Sequence, residues 1–165
     1  VAVQVAVCGP GECTEREWDH AHRAGRLLAG HGAVVICGGY GGVMAAAAAG
    51  ARAAGGITVG VLSAADRSAA GPDLTVALPT GLGQARNNVI VNAADAVIVV
   101  GGSWGTLSEL ALAMRRATVP VVQLGGWRVH DEDGRPPGGI VHAAGPDEAV
   151  EATGLFARPG DRPVT

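Results

Sequence analysis

The stretch Arg86–Glu109, RNNVIVNAADAVIVVGGSWGTLSE, reads as a helix, a buried strand, a glycine turn and the start of a second helix in immediate succession. Ala96–Val100 (AVIVV) is apolar without alternation, which suits a parallel strand covered on both faces. Gly101-Gly102-Ser103-Trp104-Gly105-Thr106 then lets the backbone come close to a ligand. A helix start offers free N–H groups and the positive end of a dipole, so Gly102, Ser103, Trp104, Gly105 and Thr106 form a candidate phosphate site. Glu109, one turn further in, puts a carboxylate beside it. That acid has two readings: a first-turn acid favouring the helix dipole, or a member of the site. Arg86 likewise reads either as a solvated surface arginine or as a functional group brought in by the segment leading into the strand.

Outward from this stretch, strand and helix patterns alternate. Strands are expected at Val1–Val7, Ala33–Ile36, Ile57–Leu62, Leu74–Ala77, Ala96–Val100, Pro120–Leu124 and Ile140–Ala143. Helices are expected at Glu15–Ala29, Gly42–Ala54, Leu82–Ala93, after Gly105, and at Pro146–Ala152. Thr14 with Glu17 makes a capping box for the first helix. The loop holding Asp66, Arg67 and Pro72 is a candidate lid. Such alternation predicts an α/β three-layer sandwich, a central parallel sheet with helices on both faces, binding ligands beyond the carboxyl ends of its strands. Every glycine motif falls at such an end.

Composition points to one domain over residues 1–165, a length that buries about 70% of the unfolded chain's surface. With three Trp, one Tyr and one Phe, the core must be Ala, Val, Ile and Leu. Twenty-seven glycines without a fixed period mean many tight turns rather than collagen or disorder. The net charge of -3 gives no basic footprint, so no nucleic acid partner is expected. Gly38–Leu62 carries only Arg52 but is broken by eight glycines, so no membrane span is expected. The chain opens on VAVQVAV without a secretory pattern, and a cytoplasmic protein is expected. Cys8, Cys13 and Cys37 are odd in number and lack C-x-x-C spacing, and the five histidines are scattered. No disulfide framework, metal or cofactor is expected. Neither G-x-G-x-x-G nor a P-loop lysine motif is present, so a monophosphate fits better than a dinucleotide or triphosphate.

Four motifs in order carry a family resemblance. They are Cys8-Gly9-Pro10; Cys37-Gly38-Gly39-Tyr40-Gly41-Gly42-Val43-Met44; Arg86 nine residues before Asp95-Ala96; and Gly101–Glu109. In these the chain resembles the LOG ("lonely guy") phosphoribohydrolases, long mislabelled lysine decarboxylases, within a wider Rossmann-like superfamily. The resemblance spans nearly the whole chain. It implies catalytic roles for Arg86 and Glu109. It also implies ligand contacts from Gly9, Pro10, Gly38, Gly39, Tyr40, Gly41, Met44, Asn87, Gly102, Ser103, Trp104, Gly105 and Thr106, and a homodimer. The family's P-G-G-x-G-T-x-x-E has Gly101 for its proline and Ser103 for its second glycine. Asn87 replaces the lysine that follows the arginine, as in a branch that also resembles the molybdenum cofactor carrier proteins.

The leading expectation is hydrolysis of the N-glycosidic bond of a nucleoside 5'-monophosphate. Glu109 would stabilise the ribosyl cation or activate water, while the helix start holds the phosphate. The alternative is a non-catalytic carrier or sensor binding a phosphorylated ligand, molybdenum cofactor or nucleotide, at the same turn; the missing lysine favours it. Tyr40 and Trp104, one in each glycine turn, either stack on a base or pack as a lid. The Ala45–Ala54 helix suits either a helix contact between copies or packing on the sheet.

Overall fold

The computed structural model describes residues 1–156. In it seven strands, β1 (Gln4–Cys8), β2 (Val34–Cys37), β3 (Thr58–Leu62), β4 (Val76–Pro79), β5 (Ala96–Val100), β6 (Val121–Leu124) and β7 (Ile140–Ala143), form one sheet in the order β4-β3-β2-β1-β5-β6-β7. Every ladder is parallel. Five α-helices are described: α1 (Glu15–Gly30), α2 (Gly42–Ala53), α3 (Arg86–Ala93), α4 (Trp104–Arg116) and α5 (Pro146–Glu151). The expected Rossmann-like α/β fold is present, and none of these helices is long and apolar enough to cross a membrane.

Strand alternation sorts the core into two layers. Val5, Val7, Ala96, Ile98 and Val100 pack with Ala21, Ala24 and Leu28 of α1, Val43, Ala46, Ala47 and Ala51 of α2, and Ala149 and Val150 of α5. Ala6, Cys8, Val97 and Val99 face Ile90 and Val91 of α3 and Leu110 and Ala113 of α4. Because both faces of β5 are covered, all five of its residues are buried, which accounts for its unbroken apolar run. The alanine-rich face of α2 is taken up inside the chain, against the sheet and α1.

The starts of β1, β4 and α3 lie two or more residues from the sequence expectation, for local reasons. β1 begins at Gln4, where its partner β2 begins at Val34. β4 starts at Val76, because the Thr58 hydroxyl donates to the Asp73 carbonyl and accepts from the Thr75 amide, turning residues 73–75 into a bend. Gly83, at φ +55°, opens a 3-10 turn (Gly83–Ala85), so the α-helix proper starts at Arg86 rather than Leu82.

Helices α1 and α2 approach at two glycines. A Cβ on Gly25 would strike the Ala47 carbonyl, and one on Gly50 the His22 carbonyl. Alanine in a helix interior normally gains about 1 kcal/mol over glycine. Here the overlap reverses the sign: Gly50→Ala should lower the unfolding free energy by about 2 kcal/mol in urea titration. A stabilised variant would contradict this close crossing.

Candidate functional site

From β1 the chain builds the sheet one way through β2, β3 and β4, and the other way through β5, β6 and β7, so the order switches between β1 and β5. Loops leaving the carboxyl ends of strands on either side of such a switch diverge and leave a crevice. Gly9, Pro10 and Gly11 leave β1 there, and Gly101 and Gly102 leave β5. A Cβ on Gly9 would lie 2.6 Å from the Val100 carbonyl oxygen and from Val43 Cβ, so the β1 loop, the end of β5 and the start of α2 touch. The Val43 amide donates to the Pro10 carbonyl at 3.0 Å, and a Cβ on Gly42 would come within 2.6 Å of Gly11.

Arg86 is buried, not a solvated surface group. Its Nη1 donates to the Gly38 carbonyl at 2.7 Å and to the Val61 carbonyl at 2.5 Å. A Cβ on Gly38 would fall 2.8 Å from Arg86 Nη2 and 2.5 Å from Met44 Sδ, so only glycine leaves room for the guanidinium. The Tyr40 ring lies 5.6 Å from Arg86 Cζ. The Tyr40 hydroxyl bonds Ser63 Oγ at 3.1 Å and accepts the Ala64 amide at 3.1 Å, so Tyr40 serves as a fixed wall to the arginine. Gly41 is the α2 N-cap and offers no side-chain cap. The candidate lid is anchored: Gly71 N donates to the Gly39 carbonyl, and Arg52 to the Pro72 carbonyl.

Among the described residues no carboxylate reaches ion-pair distance of Arg86; the three ion pairs are Arg23–Asp147, Arg52–Asp73 and Arg135–Asp133. Arg86 Nε and the Oδ1 of the neighbouring Asn87 are buried without hydrogen-bond partners. Buried polar groups are normally satisfied, and a permanently charged one usually has a counter-charge.

Glu109 stands in the second turn of α4, whose first turn holds no acidic residue, so the helix-dipole reading of this acid fails. It is 6% exposed. Burial pushes its carboxyl up to about 7, against the opposing pull of the Arg86 charge and a hydrogen bond with the Cys8 thiol. Burial also raises the Cys8 thiol well above its usual range, with Glu109 adding to the effect, and raises Cys37 to about 11. Both thiols are therefore protonated at neutral pH, which removes them as nucleophiles.

At the start of α4, Ser103 is the N-cap: its Oγ accepts the Thr106 amide at 3.2 Å and bonds Thr106 Oγ1 at 2.9 Å. The Trp104 and Gly105 amides remain as outward donors. The capping box of α1 is formed, with Glu17 closing on Thr14, and the first-turn carboxylates Glu15 and Glu17 disfavour an anion there, whereas the first turn of α4 holds no acid. Trp104 is 78% exposed and meets Trp127 edge to face, with centroids 4.9 Å apart. The sequence reading missed Trp127 and its anchor Gln123, although a lone glutamine within the buried VVQL strand was a usable signal. It also missed Cys8 as the partner of Glu109 and Ser63 as the partner of Tyr40, neither of which has a sequence signature.

The SLOG cluster4 family model matches residues 2–150. An uncharacterized protein of Archaeoglobus fulgidus is 40% identical over 134 residues, covering 78% of this chain and 88% of that protein. Among solved structures, the molybdenum cofactor binding protein from Rippkaea orientalis is 33% identical at TM-score 0.82, covering 92% of this chain and 94% of its own. The molybdenum cofactor carrier protein of Chlamydomonas reinhardtii is 31% identical at TM-score 0.80, covering 94% and 98%.

The Glu109 carboxyl carries a testable pH signature. Between pH 4.5 and about 7 the folded chain keeps a proton there that the unfolded chain has released, so stability falls as pH rises through that window. A shift of this size corresponds to about 3 kcal/mol. Glu109→Gln cannot ionise, so its unfolding free energy relative to the parent should rise by up to that amount between pH 4.5 and 8 in denaturant titrations. An unchanged difference would mean that the carboxyl titrates normally.

Proposed function

The chain belongs to the SLOG cluster4 family, and on that premise we propose that it is a carrier, binding a phosphorylated small molecule at the carboxyl edge of its sheet without turning it over. Arg86 carries this reading: it is a buried guanidinium that lacks a carboxylate partner among the described residues, at the same carboxyl edge of the sheet as the start of α4. A ligand phosphate would supply the missing negative charge, and the Trp104 and Gly105 amides would bind its oxygens. With Glu109 near half-protonation at neutral pH, the crevice leans positive, which further favours an anion. Likeness to two proteins described as binding or carrying molybdenum cofactor favours a phosphorylated pterin of that kind as cargo, with a nucleotide as the alternative.

The second reading is hydrolysis of a nucleoside 5'-monophosphate, and the observation favouring it is Glu109 itself. A carboxyl poised near pH 7 in the field of an arginine suits acid–base work at a glycosidic bond. Against it stand Asn87 in place of the family's lysine and the burial of Glu109.

Incubation with AMP, GMP, CMP and UMP, followed by chromatography for free base, separates the two. The carrier reading expects binding and no base release. Arg86→Ala should then weaken binding by about 30-fold, the scale of a lost charge-assisted hydrogen bond, with the circular dichroism spectrum retained. Glu109→Gln should bind like the parent. Base release by the parent, lost by about 100-fold in Glu109→Gln, would establish hydrolysis instead.

A further inference from the structure

We propose that Trp104, held edge-on by Trp127, is the shelf on which a planar heteroaromatic ring of the bound ligand stacks; this rests on the phosphorylated-ligand reading above. Of the two aromatic residues in the glycine turns, Tyr40 is committed, its ring against Arg86 and its hydroxyl to Ser63 and the Ala64 amide. Trp104 is free: it is the first residue of α4, beside the outward amides, and leaves 78% of its surface in water. An indole gains a great deal from being covered, so one kept in water at the start of α4 is an available face.

The shelf is built rather than incidental. Trp127 sits in the connection after β6, and its ring packs directly on Gly102, where a Cβ would lie 2.7 Å from Trp127 Cδ1 and 2.9 Å from Cγ. Gly126 presses on the Gly101 carbonyl, where a Cβ would collide. Gln123 of β6, 3% exposed, donates its Nε2 to the Trp127 carbonyl at 2.5 Å. Two glycines and a buried glutamine therefore fix Trp127 in place. Trp127 in turn meets Trp104 at an interplanar angle of 83°. A face fixed before binding loses little conformational freedom when a ring settles on it. The spacing also suits the ligand class, because a ring stacked on the first helical residue lies next to a phosphate held by the amides of residues 104 and 105. Trp104 is the binding residue here and Trp127 a positioning residue.

Calorimetric titration of the protein with inorganic phosphate, ribose 5-phosphate, GMP and FMN tests this. The parent should bind the two ring-bearing phosphates roughly tenfold or more tightly than ribose 5-phosphate, the usual scale of base–aromatic stacking. Trp104→Ala should remove that advantage and leave ribose 5-phosphate affinity unchanged, while Trp104→Phe keeps most of it. Trp127→Ala should reduce the ring advantage, and Trp127→Phe should restore it, a pattern that general destabilisation would not produce. Equal affinity of the parent for GMP, FMN and ribose 5-phosphate overturns the shelf and leaves the anion site standing. A Trp104→Ala protein that keeps its ring preference, or loses affinity equally for all four probes, also overturns it. Should Trp104→Ala instead convert a larger species to one near 16.3 kDa in sedimentation with the ring preference intact, the surface belongs to a second copy of the chain. Failure of the parent to bind any of the four removes the phosphorylated-ligand reading and the shelf together.

Discussion

The guanidinium of Arg86, held between the carbonyls of Gly38 and Val61, is the interaction around which the carboxyl edge is arranged. A charge taken out of water is costly, and two carbonyl oxygens with one aromatic face offset only part of that cost. The surroundings are shaped accordingly. Gly38 lacks a side chain where the guanidinium lies, Met44 closes over the same spot, and Tyr40 is pinned by the loop after β3. The arginine thereby ties α3 to the carboxyl ends of β2 and β3.

Glu109 balances this charge only partly. A fully ionised carboxylate near Arg86 would neutralise the crevice, whereas a carboxyl raised to about 7 by burial leaves it net positive over part of the neutral range. At 6% exposed, and near enough to the Cys8 thiol for the two groups to shift one another, it lies beneath the surface. The same burial that makes Glu109 a plausible acid–base group also holds it back from solvent, which is why carrier and hydrolase readings diverge on this residue.

Close backbone packing positions these groups. The α1–α2 crossing at Gly25 and Gly50 sets where α2 begins, and α2 begins against Pro10 and Gly11 of the β1 loop. Gly9 then lies against Val43 and the last residue of β5. A methyl group at any of these glycines would push apart the loops that border the crevice, so the alanine-rich helices and the glycine-rich turns serve one packing requirement.

Much of the fold was legible from local pattern. A buried parallel strand needs an unbroken apolar run, and helix starts need caps, so β5, the Thr14–Glu17 box and the Ser103 turn could be read from a few adjacent residues. The motifs also marked Arg86, Gly38 and Glu109 as members of one region. What the sequence left open were distances and environments. Whether Arg86 is solvated or buried depends on two carbonyls contributed by other strands, 48 and 25 residues away. Whether Glu109 answers a helix dipole or titrates near neutrality depends on its place in the second turn and on a thiol at the end of β1. Trp127 becomes the partner of Trp104 only because the β6–β7 connection folds back onto Gly102. Periodicity and capping act within a few residues along the chain, whereas burial, hydrogen-bond satisfaction and pKa depend on neighbours that only the tertiary fold brings together.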